Sequence, residues 1–500
     1  MNLESRLPFA ASHSVVGPAL ASAALFWAAL PPLDLWPAAW IAPVGWLLLV
    51  RRRELPGRRP YAALWLVGFL FWMAAIHWLR LPHWATSIGW VALSGYLGWY
   101  LPLFVGLTRV AVHRLRLSVI VAAPVVWAGL ELARAHLLTG FTMASLGHTQ
   151  YRWLEMIQVS DLTGMYGVGF VVMFVAACVA RMVPLRSRHT LSAEAPAAQD
   201  ESLELSTRVV SEGPAQHSVR TAQQARLLLW PIMPLVAVMA ATWAYGRARM
   251  VHQPPRAVAR IALIQGSVDT VLHPPEGTRE RIHEQYLALS RDAVRRFGRV
   301  DLVVWPETVF GLPMVEFDGN VPMPQGWQGT RAEFEAAIHR AKNASLLALA
   351  RLAGELGSPL LVGIDVYQQK GDQGKNFNSA VFVNRSGRVV GRYDKMHLIP
   401  FGEYVPLSDT LPWLDRLLAS LCPSTTAGDT PQAFDLDGLR IAPSICYESV
   451  IPHLIRRQVN TMGRQGREPD LLVNLTNDGW FWGSSELDMH LICGVFRAVE

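Results

Sequence analysis

The sequence predicts two unlike halves, a multi-span α-helical membrane region followed by an α/β domain. Three observations predict this. Apolar stretches near the length of a bilayer recur before residue 250, and about 20 apolar residues suffice for one helical crossing. After residue 257 they give way to short strand-length runs alternating with polar helical stretches, the pattern of a layered α/β domain. DEKR residues make up only 17% of a chain that is 51% hydrophobic, below the roughly 25% charged of soluble domains.

Seven spans are expected, approximately over residues 15–31, 34–50, 61–79, 87–107, 117–135, 161–182 and 227–246. Pro31 and Pro32 cut the first one short. It is read as a span and not a signal peptide, because little positive charge precedes it and no small-residue cleavage site follows. Arginines set the orientation, since short cytoplasmic loops are enriched in them. They cluster in RRRELPGRR after span two, at Arg109, Arg114 and Arg116 after span four, and from Arg181 to Arg226 after span six, while the intervening loops are poorer. The alternation predicts a cytoplasmic N-terminus and places everything after residue 247 outside the cytoplasm. The expected membrane domain is 1–247. Its residues 184–226, rich in Ala, Ser, Gln, Glu and Arg without apolar periodicity, read as a disordered cytoplasmic loop. Trp36, Trp40, Trp78, Trp84 and Trp153 near span ends read as interfacial anchors. Glu131, an acid within span five, is expected near its outer end with access to headgroups.

The net charge of +6 is not gathered on one face, so nucleic-acid binding is not indicated. Cys178, Cys422, Cys446 and Cys493 form no CxxC pair and no Cys/His metal spacing, which argues against a zinc site or a disulfide framework.

The second domain is expected over 258–500. ARIALIQGSV, DLVVWPETVF, SPLLVGIDVY, NSAVFVNRSGRVVGRYDK, LRIAPSICYESV and DLLVNLTNDGW read as strands, with a hairpin turn at Ser386-Gly387. TRERIHEQYLALSRDAVRRF and NASLLALARLAGEL read as helices. Three strand ends carry chemistry: Glu307 after Pro306, Lys395 with Glu403 eight residues on, and Cys446. Strand ends in α/β sheets present functional groups on loops fixed by a rigid scaffold. Each residue alone has an ordinary reading, a turn acid, a surface lysine and a core thiol. As a set they offer a nucleophile, a base and a cation. A thiol near pKa 8.5 is only a few per cent thiolate at neutral pH, so it needs the base Glu307 and the cation Lys395, which can also hold an oxyanion. Glu403 can orient Lys395 or assist an incoming amine.

In this order, with the contexts WPET, YDKMHLIPFGEYVP, ICYES and NLTNDGWF, the three residues resemble the nitrilase or carbon-nitrogen hydrolase superfamily, which uses a Glu-Lys-Cys triad. With the membrane half ahead of it, the chain resembles the apolipoprotein N-acyltransferase family. The resemblance implies an α-β-β-α sandwich and a ping-pong transfer through a Cys446 thioester. The acyl chain would come from a phospholipid and pass to the N-terminal amine of a diacylglyceryl-cysteine lipoprotein, on the outer side of a bacterial inner membrane. It implies no cofactor and no metal, adds Glu403 as a further essential acid, and associates Tyr447 and Glu448 with the mouth of the site, where the plainer reading is a strand-to-helix turn. Nothing in it demands more than a monomer. Asn474, Asn477 and Asp478 are expected to shape the loop beside the thiol. Trp480, Phe481 and Trp482 are expected as a lipid-facing lid or as packing, and His490, Cys422 and Cys493 as structural residues.

Two features depart from the family pattern. DTVLHPPEG follows LIQGSV where the family carries a Lys-Trp pair, and the chain stops at FRAVE where the family continues with further strands and a last span. Two rival readings keep the fold: a membrane-tethered amidase or nitrilase acting on small amides, and a transporter or scaffold with an inert domain. The membrane half disfavours the first and the intact triad the second.

Overall fold

The computed structural model describes residues 14–184, 229–251 and 259–500, except 273, 319–321, 324–325, 372, 407, 409, 411–412 and 414–423. The loop expected to be disordered, apart from Pro184, and Cys422 lie outside the described residues. The chain divides into two compact units. One holds Met1–Ile76, Val91–Ala133 and Ala144–His252, and the other His77–Trp90, Arg134–Met143 and Gln253–Glu500.

The first unit is built from helices α1 (Val16–Ala28), α2 (Val44–Arg51), α3 (Pro60–Ala75), α4 (Thr86–Gly98), α5 (Tyr100–His113), α6 (Val119–His136), α7 (Leu154–Ile157), α8 (Ser160–Thr163), α9 (Met165–Met182) and α10 (Ile232–Val251), with α4 and α6 running on into segments of the second unit. Three helical stretches among the described residues are long and apolar enough to cross a membrane: Thr86–His113, Val119–Thr139 and Met165–Met182. Helices α1 and α3 are apolar but shorter. The second expected span is realised only as a short 3-10 turn, Trp36–Trp40, and α2. Small residues let these helices approach closely, as membrane helix packing favours. A Cβ on Gly68 of α3 would stand 2.5 Å from the Gly98 carbonyl oxygen of α4. The basic residues gather at one end. Arg109 near the end of α5 donates to the Leu49, Val50 and Arg53 carbonyls at the end of α2, at 3.2, 3.4 and 2.8 Å. Arg51 donates to the Val183 carbonyl just past α9, at 2.7 Å. These cations satisfy carbonyls that helix C-termini leave open. Glu131 is not placed as expected: it is 4% exposed and accepts from the Leu146 N–H at 2.8 Å, because a buried loop donor needs an acceptor more than the acid needs a headgroup.

The second unit carries two sheets. One has the order β1 (Ile261–Leu263), β2 (Leu302–Trp305), β4 (Leu360–Lys370), β5 (Gln373–Val383), β6 (Val389–Asp394), with β3 (Met314–Asp318) pairing the far end of β4. The other has the order β7 (Phe434–Leu436), β8 (Leu439–Ile445), β9 (Leu471–Leu475). Strands β1, β2 and β4 are parallel, as are β8 and β9, while the β4-β5-β6 run is antiparallel. The two-residue side-chain period sorts the core. Val303, Trp305, Leu360, Val362, Val381 and Val383 face a cluster that includes residues of α11 (Thr278–Phe297) and α12 (Arg331–Leu356). Their alternate neighbours Leu302, Val304, Leu361, Ala380 and Phe382 face Phe434, Leu436, Ile441, Ile445, Val473 and Leu475 of the other sheet. Met462 of α13 (Pro452–Arg464) packs on the far side of that sheet, against Ala433 and Ala442. The order helix, sheet, sheet, helix is the α-β-β-α sandwich, and α14 (Ser485–Val499) follows β9.

Candidate active site

Each predicted site residue follows a strand. Glu307 lies two residues past β2, Lys395 one past β6, and Cys446 one past β8. The turn carrying Glu307 lies directly over β4, where only a glycine fits: a Cβ on Gly363 would stand 2.2 Å from the Pro306 carbonyl oxygen and 2.6 Å from the Glu307 Cα. The Lys395 backbone is pinned on both sides, its N–H donating to the Asn378 carbonyl and its carbonyl accepting from the Gly428 N–H, each at 2.8 Å.

The acids and the lysine meet. Lys395 Nζ donates to Glu307 Oε1 at 3.1 Å and to Glu403 Oε1 at 2.9 Å, with the lysine only 1% exposed. Asn378, absent from the sequence reading, donates its Nδ2 to the same two oxygens at 2.6 and 3.3 Å. The second oxygen of Glu307 accepts from the Asn477 N–H at 3.2 Å, and that of Glu403 from the Ile399 N–H at 2.9 Å. Two carboxylates and one ammonium thus share a buried network in which the donors are directed at the acids. Burial works against the Lys395 charge, but the charges of Glu307, Cys446 and Glu403 outweigh it and hold the ammonium above its ordinary range.

Cys446 adopts φ of +50°, a left-handed conformation unusual outside glycine and associated with functional sites. The elbow is held through its carbonyl oxygen, which accepts from Asn474 Nδ2 at 3.1 Å, Ser449 Oγ at 3.2 Å and His490 Nε2 at 3.1 Å. Burial, reinforced by the Glu307 charge and opposed by Lys395, holds the Cys446 thiol well above its ordinary value. The resting Cys446 side chain is therefore a thiol, and any reaction through its sulfur needs a base to take the proton.

Glu448 sits in the 3-10 turn Cys446–Val450 that leads from β8 to α13, the plainer of its two expected places. It is fully buried and accepts from the Ile445 N–H at 2.7 Å, the Met396 and His397 N–H groups at 2.7 and 3.0 Å, and the Tyr393 hydroxyl at 2.8 Å. One carboxylate thereby ties the cysteine elbow to the lysine loop. The Tyr447 ring packs parallel to His397 and its hydroxyl donates to the Gly140 carbonyl at 2.8 Å.

His490, read as structural, lies directly beneath the nucleophile. Its Nδ1 faces Asp478 at 3.0 Å and its Nε2 the Cys446 carbonyl at 3.1 Å. Asp478 accepts from Nδ1–H, and Nε2 has the Ser449 hydroxyl at 3.0 Å beside the Cys446 carbonyl, so the ring is held on both sides. Burial opposes a positive charge on the ring, but Asp478 and Glu486 push His490 up to about 9. Burial and the Asp478 charge raise Glu486 to about 8. Asp478, Glu486 and His490 have the spacing of a cation site, in which the Asp478 carboxylate is already paired with His490 Nδ1 at 3.0 Å. The NLTNDGW loop therefore shapes the site through Asn474, Asn477 and Asp478.

Phe481 packs edge-on against Trp78 at 5.1 Å, and Trp78 is 3% exposed. Ring packing therefore outcompetes the interfacial position expected for Trp78. Trp482 is 47% exposed, and its Nε1 donates to the Thr270 carbonyl at 3.1 Å. Cys178 and Cys493 are both buried, and burial pushes the Cys493 thiol up to about 12.

Residues 22–178 match the apolipoprotein N-acyltransferase N-terminal domain and residues 260–500 the carbon-nitrogen hydrolase family. The apolipoprotein N-acyltransferase of Geobacter metallireducens is 31% identical over 497 residues, covering 96% of this chain and 81% of its own. That of Rhodopirellula baltica is 28% identical over 509 residues, covering 96% and 83%. An amidase from Nesterenkonia sp. overlaps 44% of this chain and 64% of its own at 16% identity and a TM-score of 0.27. On a relatedness of 31% that spans 96% of this chain and 81% of the Geobacter protein, the chain belongs to the apolipoprotein N-acyltransferase family.

Proposed function

We propose that this protein transfers an acyl chain from a phospholipid to the N-terminal amine of a diacylglyceryl-cysteine lipoprotein, with Cys446 as acyl carrier. The observation that carries the mechanism is the buried ammonium of Lys395 between Glu307 and Glu403, at 3.1 and 2.9 Å, beside a cysteine held at a strand-end elbow. In the first half-reaction Cys446 Sγ attacks the ester carbonyl while Glu307 takes the thiol proton. The tetrahedral oxyanion is stabilised by Lys395, a contribution of about 3 kcal/mol for a well-placed donor. The C–O bond then breaks, and Glu307 returns the proton to the departing lysophospholipid oxygen. In the second half-reaction the amine attacks the thioester carbonyl, Glu307 accepts an amine proton, and the C–S bond breaks to give the amide. That proton passes back to the Cys446 thiolate, so the enzyme is regenerated. Glu403 and Asn378 keep Lys395 and Glu307 in register throughout.

The membrane half supports acyl transfer over small-amide hydrolysis, because both substrates of the transfer are lipids. A multi-pass arrangement with the catalytic unit on the periplasmic side of the inner membrane follows from the arginine alternation. It is supported by the gathering of Arg51 and Arg109 at one end of α2, α5 and α9. One chain supplies every residue of the site, so a monomer suffices.

The test is Cys446→Ala in the full chain, assayed for N-acylation of a diacylglyceryl-cysteine peptide with phospholipid as donor. Activity is expected to vanish together with the hydroxylamine-labile acyl label on the protein. Retained transfer by the alanine variant would refute the mechanism.

A further inference from the structure

Tyr447, adjacent to the nucleophile, opens onto a group of basic side chains that the transfer chemistry does not use. Its ring stacks on His397, 6.2 Å between centroids and 16° from parallel. The His136 and His453 rings stack at 4.0 Å and 17°. His453 is the second residue of α13, and Arg456 and Arg457 stand three and four positions on, which places them beside it on one helix face. Both arginines are exposed, and neither forms an ion pair among the described residues. No described hydrogen-bond partner meets the buried His397 Nε2 or His453 Nδ1. The carboxylate that bears on this group, Glu403 on His397, is itself paired with Lys395 at 2.9 Å, so the cations and imidazoles form an electropositive surface that favours an anion.

We propose that His136, His397, His453, Arg456 and Arg457 form a subsite for the phosphate of the lipid acyl donor. This rests on the reading of the chain as a phospholipid-dependent acyltransferase, which it deepens. In a glycerophospholipid the phosphate and an acyl ester sit on one glycerol, so an ester at Cys446 carries its phosphate to a neighbouring surface. The diacylglyceryl-cysteine acceptor bears no phosphate. The subsite therefore acts in the first half-reaction only, and releases its anion with the lysophospholipid. Burial and the surrounding charges of His136, His397, Arg457 and Arg456 lower His453 to about 4, consistent with a positive potential that a bound anion would relieve.

The experiment uses the full chain in mixed micelles and follows thioester formation on Cys446 by intact mass. Donors are phosphatidylglycerol and, as a phosphate-free control, a p-nitrophenyl acyl ester. The Arg456→Gln/Arg457→Gln double variant is expected to raise KM for phosphatidylglycerol about tenfold, the loss of roughly 1.4 kcal/mol of binding. Acylation by the p-nitrophenyl ester and transfer from preformed acyl-enzyme to peptide keep their rates. An equal fall with both donors indicates a folding lesion or a general role and overturns the subsite, as does an unchanged KM for phosphatidylglycerol. Inorganic phosphate separates the two sources of this chemistry. Competition with phosphatidylglycerol that disappears in the double variant, together with its raised KM, assigns the site to the headgroup. Phosphate binding with an unchanged lipid KM in that variant overturns the proposal. If the wild-type protein forms no thioester from any phospholipid, the acyltransferase reading fails along with the subsite, a result distinct from the others.

Discussion

Among single residues, Glu448 separates two kinds of importance. It follows Cys446 by two positions, yet it is fully buried and spends its oxygens on the Ile445, Met396 and His397 N–H groups and the Tyr393 hydroxyl. Glu448→Gln keeps the volume but turns an amide NH2 toward donors, so at least one buried N–H loses its acceptor. The expected cost is about 1–3 kcal/mol of stability, read as a lowered denaturation midpoint, with thioester formation falling because Cys446 and Lys395 lose their common tie. Full activity and an unchanged midpoint would show that the carboxylate braces nothing. The strand-end places of Glu307, Lys395 and Cys446 were legible in the sequence because each follows a strand-like run that ends in a turn signal. Asn378 was not, since an asparagine inside a strand carries no marker of the two acids it meets 2.6 and 3.3 Å away in space. His490 was not for the same reason: its partners Asp478 and Cys446 are 12 and 44 residues distant.

At the scale of elements, strands buried on both faces were readable as continuous apolar runs, and helices without an apolar stripe were not. Strand β2 shows why the first succeeded: Leu302 and Val304 face one core, Val303 and Trp305 the other, so all four are apolar and the run is unmistakable. Helix α12 shows why the second failed. Its observed start at Arg331 precedes the expected NASLL segment because RAEFEAAIHRAK is largely exposed, although the Thr330 and Glu333 capping box marks the boundary. Helix α14 escaped the sequence reading altogether, and it delivers the most heavily coupled charges outside the triad. His490 is raised from an ordinary 6.5 to about 9, and Glu486 from 4.5 to about 8. In both the folded state holds a proton that the unfolded chain releases, so stability falls as pH rises. The His490 contribution is complete below 6.5 and gone once pH passes 9, and that of Glu486 declines between 4.5 and 8. Denaturation midpoints measured from pH 6.5 to 9 are expected to drop more steeply for the wild-type protein than for His490→Gln. Parallel slopes would remove the imidazolium from the account.

For the whole molecule the arginines make the sharpest prediction. Arg51 and Arg109 bind the carbonyl ends of α2 and α9 at one end of the first unit, where the loop RRRELPGRR also begins. Positive loops stay in the cytoplasm. Seven crossings, an odd number, would leave the catalytic unit on the opposite side. Gly57, in that loop, and Gly466, at the turn after α13, both have positive φ, which strains a side chain locally, but open space around them, so each can carry a cysteine that reports on its side. Single Gly57→Cys and Gly466→Cys substitutions, in a background lacking the native thiols, are to be treated with a membrane-impermeant maleimide. Gly57→Cys is expected to label only in inverted vesicles and Gly466→Cys only from the outer face of spheroplasts. Labelling of both from one face would mean an even number of crossings, and it would place the acyl-transfer site on the cytoplasmic side, where the arginine pattern does not put it.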